Sequence, residues 1–437
     1  MLTPSAVDAG KGLLERLAQA RAETDKLFQL VKPERLYERP IAERHRIIFY
    51  LGHLEAFDSN LLRESLGIQS TDPSLDRLFA FGIDPVDGGL PSDQPADWPA
   101  EPQVTQYGRR IRTKLDEALL QKGSAWDGEE NSDVLLHVAI EHRLMHAETF
   151  AYMLHRMPFE SKRSVIQAGT PDSCPFEPEM IEIPEGRTTL GISRDGNFGW
   201  DNEFERHLVD VPRFRIDRYK VTNGQFLDFT LAGGYRDRSL WTDADWRWKE
   251  QNGIDHPAFW KRSGSEFRYR AMFEDIPLPF NWPVYVSHAE ASAYAAWAGK
   301  RLPTEAEWHR AAYDAPDGER AYPWGEFPPA AEHGYLDMNR WDPSPVNAFP
   351  KGRSHWGVDG MLSNGWEWTS SQFGPFPGFQ AFPFYRGYSA DFFDGKHYVM
   401  KGGSPRTELS MLRRSFRNWF QPHYPYAYVG FRCATDD

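Results

Sequence analysis

The sequence predicts an α+β protein with two domains, a helical bundle followed by a β-rich domain. Its 437 residues exceed what a single hydrophobic core usually organises. Up to about residue 157 apolar residues recur at helical spacing, whereas after about residue 180 short β-like segments alternate with loops rich in Gly, Pro and Trp. We therefore expect a helical domain at 1–157, a linker at 158–180 and a β-rich domain at 181–437.

Four segments of the first domain have the pattern of amphipathic helices. They are "AGKGLLERLAQARAETDKLFQLV", "IAERHRIIFYLGHLEAFDSNLLRESLG", "PQVTQYGRRIRTKLDEALLQKG" and "SDVLLHVAIEHRLMHAETFAYMLHRM". Their apolar residues recur at the spacing that places them on one face of a helix. Four such helices predict a four-helix bundle, a scaffold that can place metal ligands on facing helices.

The second domain is predicted to contain short strands and two clear helices. The strand candidates are "MIEIPEG", "TTLGI", "FRIDRYKVT", "PVYVS", "YVMKGGS" and "YVGFRC". The helix "SHAEASAYAAWAGK" has Ser287 as its N-cap and Glu290 three residues later, and "TEAEWHRAAY" has Thr304 and Glu307 in the same arrangement. This spacing is typical of a capping box, which marks the start of a helix.

Composition excludes several classes of function. The net charge of −13 argues against nucleic acid or an anionic membrane as the main partner, because binding phosphates needs clustered Lys and Arg. The first residues lack a signal-peptide pattern, and no stretch approaches the roughly 20 apolar residues of a membrane span. Cys174 and Cys433 are the only cysteines, so a disulfide framework is not expected. These features predict a cytoplasmic protein.

The stretch "EHRLMHAETF" places His142 and His146 one helical turn apart, as two ligands of one metal would be. A zinc-protease site needs Glu directly after the first His, and this chain has Arg143 there. His53, in the middle of the second helix among apolar residues, is the best candidate for a third ligand. Spacing alone leaves open the alternative of hydrogen-bonded core histidines. Imidazole ligands also suit Fe, Zn, Cu and Ni alike.

The same segments carry a resemblance to a known family. "GHLEAFDSNLL" and "EHRLMHAE" resemble the DinB-type bundle of the EgtB-type enzymes of ergothioneine biosynthesis. The C-terminal half resembles the formylglycine-generating-enzyme (sulfatase-modifying factor) domain, which has a C-type-lectin-like fold. The matching segments are "VTNGQFLDF", "PVYVSHAEASAYAAWAGKRLPTEAEWHRAA", "YPWG", "SNGWEWTSS", "KGGS" and "RNWF…YVGFRC". The resemblance covers nearly the whole chain and implies a DinB-like four-helix bundle followed by that domain.

The resemblance also implies an activity. EgtB-type enzymes hold Fe(II) on three histidines and use O2 to join a thiol donor, such as cysteine or γ-glutamylcysteine, to C2 of the imidazole of hercynine (trimethylhistidine). The product is a sulfoxide. Carried over by position, the iron ligands are His53, His142 and His146. The resemblance allows a structural Ca²⁺ in the C-terminal domain as well.

Several substrate residues follow from the resemblance. Asn418 and Trp419 in "SFRNWFQPHY" match the step that lies against hercynine, whose quaternary ammonium favours aromatic faces. Tyr385 and Tyr388 in "PFYRGYS", and Tyr107 in "TQYGRR", are candidates for the tyrosine that donates a proton to the activated oxygen. The sequence does not choose among these three tyrosines.

The chain departs from well-known members at positions that bear on the substrates. Met145 stands where they have Gln near the substrate imidazole, and Phe420 where they have Asp near the donor. The loop "DPVDGGLPSDQP" lacks the arginines that hold the two carboxylates of γ-glutamylcysteine. Arg109, Arg110 and Arg112 on the third helix are candidate substitutes. The departures favour free cysteine, or a selenosugar and therefore a selenoneine synthase as the alternative.

Three other functions are less favoured. Formylglycine generation needs a cysteine pair, and "TELSMLRRSFRNWF" contains none, so Cys433 is expected to be a buried structural thiol. A zinc-dependent DinB-type thiol transferase would not need the Asn-Trp step of the second domain. A ligand-binding protein without catalysis would not need three histidines.

Overall fold

The computed structural model describes residues 12–80, 90–122, 132–165, 175–336, 338 and 340–436. Backbone contacts divide the chain into two compact units, a helical unit at 10–165 and a mixed unit at 166–437. The predicted α+β architecture is confirmed. In the described ranges, every helix is too short or too polar to cross a membrane.

All four predicted segments of the helical unit form long helices. They are α1 (Leu13–Leu30), α2 (Ile47–Leu66), α4 (Glu101–Lys122) and α5 (Ser132–Arg156), and the short α3 (Pro73–Leu78) follows α2. The helix α2 ends at Gly67, whose φ of 68° is a left-handed conformation that favours glycine. In the packing, α1 lies against α5, and α2 lies against both α4 and α5.

The interior of the helical unit is not purely apolar. Leu, Ile, Phe and Ala side chains of α2 and α5 form most of its core, but both helices also bury charged residues and histidines. Buried charged groups are rare unless they are paired or functional. The polar interior of α2 and α5 therefore marks the region of interest in this unit.

The mixed unit is built from short strands and four helices in its described residues. The strands are β1 (Met180–Ile183), β2 (Gly186–Leu190), β3 (His207–Val211), β4 (Phe214–Asp217), β5 (Trp260–Ser263), β6 (Glu266–Arg270), β7 (Asp275–Pro277), β8 (Asp314–Ala315), β9 (Gly318–Glu319), β10 (Gly365–Gln372), β11 (Tyr398–Gly403), β12 (Asn418–Phe420), β13 (Val429–Gly430) and β14 (Ala434–Asp436). The helices are α6 (Asn223–Leu231), α7 (Asp243–Asn252), α8 (His288–Trp297) and α9 (Glu305–Tyr313).

The largest sheet has four strands in the order β12-β11-β10-β13. Strand β10 pairs antiparallel with β11 and parallel with β13. At the edge, β12 pairs antiparallel with β11, with Asn418 opposite Met400 and Trp419 opposite Val399. A second sheet has the order β1-β4-β14, and the remaining strands form smaller sheets. The Asn418–Trp419 step therefore lies on a sheet edge, supported by a buried strand.

The predicted helix starts in the mixed unit are confirmed. Ser287 and Thr304 cap α8 and α9, and each forms a capping box with the glutamate three residues later. Of the predicted strands, "PVYVS" forms only an isolated bridge between Pro283 and Thr222. Cys433 is fully buried, as predicted, whereas Cys174 lies outside the described residues.

Candidate active site

Three histidines of the helical unit converge in its interior. His53 comes from α2, and His142 and His146 come from α5. One ring nitrogen from each lies within 4.8 Å of the others. The ring centroid of His53 lies 5.3 Å from that of His142 and 5.0 Å from that of His146. The ring centroids of His142 and His146 are 4.5 Å apart. We refer to these residues as the histidine triad.

One tautomer within the triad is set by a backbone contact. The Nδ1 of His53 lies 2.7 Å from the carbonyl oxygen of Phe79. A carbonyl only accepts hydrogen bonds, so Nδ1 carries the proton and Nε2 keeps its lone pair. Within the described residues, the buried Nε2 of His53 and Nδ1 of His146 have no hydrogen-bond partner. Unengaged buried imidazole nitrogens fit the donor set of a divalent metal ion.

The surroundings of the triad keep its imidazoles neutral. Burial lowers the pKa of His53 from 6.5 to about 4. Burial, followed by the neighbouring imidazoles, lowers the pKa of His142 well below its usual value, and burial and His53 do the same for the pKa of His146. A metal-binding imidazole must be unprotonated. The triad is therefore in its ligand form at neutral pH.

The metal-free protein is expected to lose stability as the pH falls from about 6.5 to about 4. In the unfolded chain His53 gains a proton near pH 6.5, whereas in the fold its pKa is about 4. The unfolded state then binds more protons between these values, which favours unfolding. From pH 6.5 to pH 5, His53 alone accounts for about 2 kcal/mol.

Urea unfolding in the presence of a chelator, repeated across this pH range, measures the effect. A His53→Asn variant serves as the control, because its side chain does not titrate there. Its free energy of unfolding should change less steeply with pH than that of the wild type. Equal slopes would contradict the neutral state of His53.

Aromatic side chains of α2 contact each imidazole of the triad. Phe57 stacks on His142 with 3.4 Å between ring centroids, and Phe49 stacks on His53 at 5.0 Å. The ring of Tyr50 lies 5.8 Å from that of His146. Sequence reasoning did not single out Tyr50, although it lies three residues before His53 and therefore on the same face of α2.

A group of charged residues is buried beside the triad. Arg143 is fully buried and donates to Glu55 Oε1 at 3.0 Å and to Asp58 Oδ2 at 2.7 Å. Burial on its own would raise the pKa of Glu55, but Arg143 and Arg112 outweigh burial and lower that pKa to about 2. The Glu55 carboxylate therefore stays ionised inside the bundle.

The three arginines of α4 that are candidates for donor binding have different environments. Arg112 donates to both carboxylate oxygens of Asp25 and to Glu55 Oε1, each at 2.7 Å. Arg109 and Arg110 are exposed. The guanidinium of Arg112 is therefore already committed to carboxylates of its own chain. The loop that lacks arginines is only partly described, since residues 81–89 lie outside the described ranges.

Tyr107, one of the three tyrosine candidates, is engaged within the bundle. Its hydroxyl donates to Asp76 Oδ1 at 2.6 Å, and its ring stacks on Phe79 with centroids 5.9 Å apart. Burial and the Asp76 carboxylate raise the pKa of Tyr107 well above its usual value. In this structure the hydroxyl of Tyr107 is directed at a carboxylate.

The other two tyrosines belong to an aromatic cluster of the mixed unit. Phe373, Tyr388 and Phe392 contact Trp419, and Trp200 and Tyr385 join the cluster through Tyr388. Trp419 stacks on Phe373 at 4.1 Å and meets Tyr388 edge-on at 5.4 Å. Tyr388 in turn stacks on Trp200 at 3.9 Å. The structure thus brings together three of the predicted site residues, Trp419, Tyr385 and Tyr388.

The remaining predicted residues have other surroundings, Asn418 and Phe420 on strand β12 of the mixed unit and Met145 on α5 of the helical unit. Asn418 Oδ1 accepts a hydrogen bond from the backbone N–H of Trp419 at 2.9 Å. Phe420 stacks on Tyr424 at 4.7 Å, and strand alternation places its side chain on the face opposite to that of Trp419. Met145 is partly buried on α5, next to His146.

The predicted structural Ca²⁺ is not located by the structure. Across the described ranges, the histidine triad is the only group of three or more His, Cys, Asp or Glu side chains close enough to share one ion. The calcium site stays a prediction from the resemblance.

The chain is similar to known proteins along most of its length. The family model of the sulfatase-modifying factor enzyme 1-like domain matches residues 167–437. The hercynine oxygenase of Mycobacterium tuberculosis is 44% identical over 252 residues, which are 56% of this chain and 58% of that protein. The hercynine oxygenase of Mycolicibacterium thermoresistibile is 40% identical over 309 residues, which are 68% of each protein.

A fungal protein matches along more of the chain. Ergothioneine biosynthesis protein 1 of Neurospora crassa is 28% identical over 501 aligned residues, covering 93% of this chain and 56% of that protein. This chain therefore spans a little over half the length of the Mycobacterium tuberculosis and Neurospora crassa relatives.

Proposed function

Because the chain belongs to the EgtB-type family of hercynine oxygenases, with a sulfatase-modifying factor domain at residues 167–437, we propose that it forms a carbon–sulfur bond in ergothioneine biosynthesis. The proposed substrates are O2, hercynine and a thiol donor, whose sulfur is joined to C2 of the hercynine imidazole. The proposed cofactor is Fe(II), held by the histidine triad. The observation that carries the proposal is the convergence of three neutral imidazole nitrogens inside the bundle.

The residues around the triad support metal binding with open positions. A ferrous ion held by three imidazoles supplies the redox chemistry that activation of dioxygen requires. Phe79 fixes the His53 ring through its carbonyl, so that Nε2 is the nitrogen available to a metal. Because the imidazoles are neutral, they add no negative charge, and an anionic thiolate is not repelled from the site.

The aromatic cluster of the mixed unit supports recognition of hercynine. A trimethylammonium group is attracted to the faces of aromatic rings, by about 0.5–2 kcal/mol per contact. Trp419 and Tyr388 are the predicted residues that offer such rings. Burial, followed by Asp201, raises the pKa of Tyr385 above its usual value, so its hydroxyl stays protonated at neutral pH. The proton donor is proposed to be Tyr385 or Tyr388, which belong to this cluster, because the hydroxyl of Tyr107 donates to Asp76.

The donor is proposed to be a small thiol, with cysteine preferred. Arg112 is committed to Asp25 and Glu55, which argues against its use as a carboxylate clamp for γ-glutamylcysteine. The names of the relatives refer to hercynine and ergothioneine, which favours sulfur over selenium. The selenosugar reaction is therefore not proposed as the main activity, but it is included in the test.

Anaerobic loading with Fe(II), followed by hercynine, O2 and one donor, tests the proposal. Cysteine, γ-glutamylcysteine and a selenosugar are supplied in parallel, with oxygen uptake and product mass as readouts. We expect oxygen uptake that requires both hercynine and a thiol, and a product with the mass of a hercynine–cysteine sulfoxide. Tightly bound zinc without oxygen uptake would indicate a thiol transferase instead. A product from the selenosugar alone would make the protein a selenoneine synthase.

A further inference from the structure

Arg143 connects the two helices that carry the histidine triad. It follows His142 on α5 and has no exposed surface. Its guanidinium donates to Asp58 Oδ2 at 2.7 Å, to the carbonyl oxygen of Leu54 at 3.0 Å and to Glu55 Oε1 at 3.0 Å, all on α2. The first of these α2 acceptors along the chain, Leu54, directly follows His53.

The same charges extend to the other two long helices. Arg112 of α4 donates to Glu55 of α2 and to Asp25 of α1, at 2.7 Å to each. Arg21 of α1 approaches Asp58 at 3.9 Å. We call these residues the charge network; its members are Arg21, Asp25, Glu55, Asp58, Arg112 and Arg143. The network links α1, α2, α4 and α5 beside the triad.

Stability does not explain why charges occupy this position. Taking a guanidinium and two carboxylates out of water has a large desolvation penalty, and well-packed apolar residues of similar volume are often as stabilising. What the charges add is a set of hydrogen bonds with fixed directions. The N–H groups of arginine are fixed in one plane, so bonds to two carboxylates and a carbonyl constrain both the sliding and the rotation of α5 on α2. An apolar contact would tolerate such movements more readily.

We infer that Arg143, with Glu55 and Asp58, is a positioning group for the metal site, one that holds α5 on α2 in the register that brings the triad together. The inference rests on the proposed metal binding by the triad. A one-residue slip moves a helix by about 1.5 Å along its axis, whereas metal–nitrogen distances hold to within about 0.2 Å. The site therefore needs contacts that fix the register of α5 on α2. The charge network supplies such contacts at Leu54 and Arg143, which directly follow His53 and His142.

The test uses the full chain, stripped of metal, with Co(II) alone as the probe. The variant Arg143→Met/Glu55→Gln/Asp58→Asn removes the three central charges while keeping side chains of similar size. Far-UV circular dichroism and urea unfolding establish that it folds. We expect its Kd for Co(II) to rise about 10–100-fold, as for loss of residues that orient metal ligands, and its visible Co(II) absorption bands to shift. Arg143→Lys keeps the positive charge but lacks the planar guanidinium that donates to both carboxylates, so it should give an intermediate shift of the absorption bands.

Lys162→Met is the matched control, because Lys162 is a buried cation of the same bundle that donates to the carbonyl oxygen of Leu154 on α5 at 2.8 Å. We expect its Co(II) affinity and spectrum to match the wild type. A folded triple variant with wild-type affinity and spectrum would overturn the inference, as would an equal loss in Lys162→Met. If the triple variant does not fold, a wild-type spectrum in Arg143→Lys overturns it.

The outcomes separate this inference from the proposed activity. A wild-type protein that binds Co(II) but shows no hercynine-dependent oxygen uptake refutes the activity and leaves the positioning role measurable. A wild-type protein that binds no Co(II) overturns the positioning role, since there is then no metal site to position.

Discussion

Replacing His142 by alanine is expected to abolish metal binding and turnover. In the proposed site, His142 would supply one of the three nitrogen donors found among the described residues, which lie within 4.8 Å of one another. Loss of a residue that merely orients a ligand typically costs 10–100-fold in metal affinity, so loss of a ligand should cost more than about 100-fold. Metal content after Fe(II) loading, Co(II) titration and oxygen uptake measure the effect.

His137→Ala provides the control on the same helix. His137 precedes His142 by five residues and is absent from the triad, and its Nδ1 lies 3.5 Å from the guanidinium of Arg16. Metal content and turnover of this variant should remain within about twofold of the wild type. Because Phe57 stacks on His142, circular dichroism is needed to show that His142→Ala still folds. Full turnover in folded His142→Ala would refute the ligand assignment.

Helical periodicity predicted the bundle because its four helices are long and each has an apolar face. It did not reveal α6 or α7, for a physical reason. The helix α6 has nine residues, too few for a clear period, and α7, "DADWRWKEQN", buries only Lys249. Their starts are set by the caps Thr222 and Thr242, which are local signals within loop-like sequence.

The sequence also placed each triad histidine on a helix. It did not predict that the faces carrying these histidines pack against each other. His53 and His142 are 89 positions apart, and spacing within one helix says nothing about which faces pack together. Its apolar surroundings made His53 the best candidate for a third ligand, and the family resemblance then implied all three ligands by position. Arg143 shows the same limit. Its identity was enough to exclude a zinc-protease motif, which needs Glu at that position, but its contacts with Glu55 and Asp58 depend on tertiary packing.

The second large expected effect concerns the mixed unit, where Arg432→Met should lower the free energy of unfolding by about 3–5 kcal/mol, the usual loss when one partner of a buried ion pair is removed. Arg432 and Glu367 are both fully buried. The guanidinium donates to both Glu367 oxygens, at 2.5 and 2.9 Å, and to the carbonyl oxygens of Asp217, Arg218 and Asp359, each at 2.9 Å. All five of its N–H groups are thus used, and no other side chain can replace them. Urea unfolding followed by tryptophan fluorescence measures the loss.

Two further variants show whether this loss comes from leaving Glu367 without its arginine. In Arg432→Met/Glu367→Met no carboxylate is left without its arginine, so part of the lost stability should return. Lys220, which lies 2.9 Å from Glu367, permits this because burial already lowers its pKa to about 8, and it can become neutral at small cost. Arg262→Met, which breaks an exposed pair with Asp255, should change stability by less than about 1 kcal/mol. If the double variant were as unstable as Arg432→Met, the lost carbonyl contacts, rather than the missing arginine partner of Glu367, would be the cause.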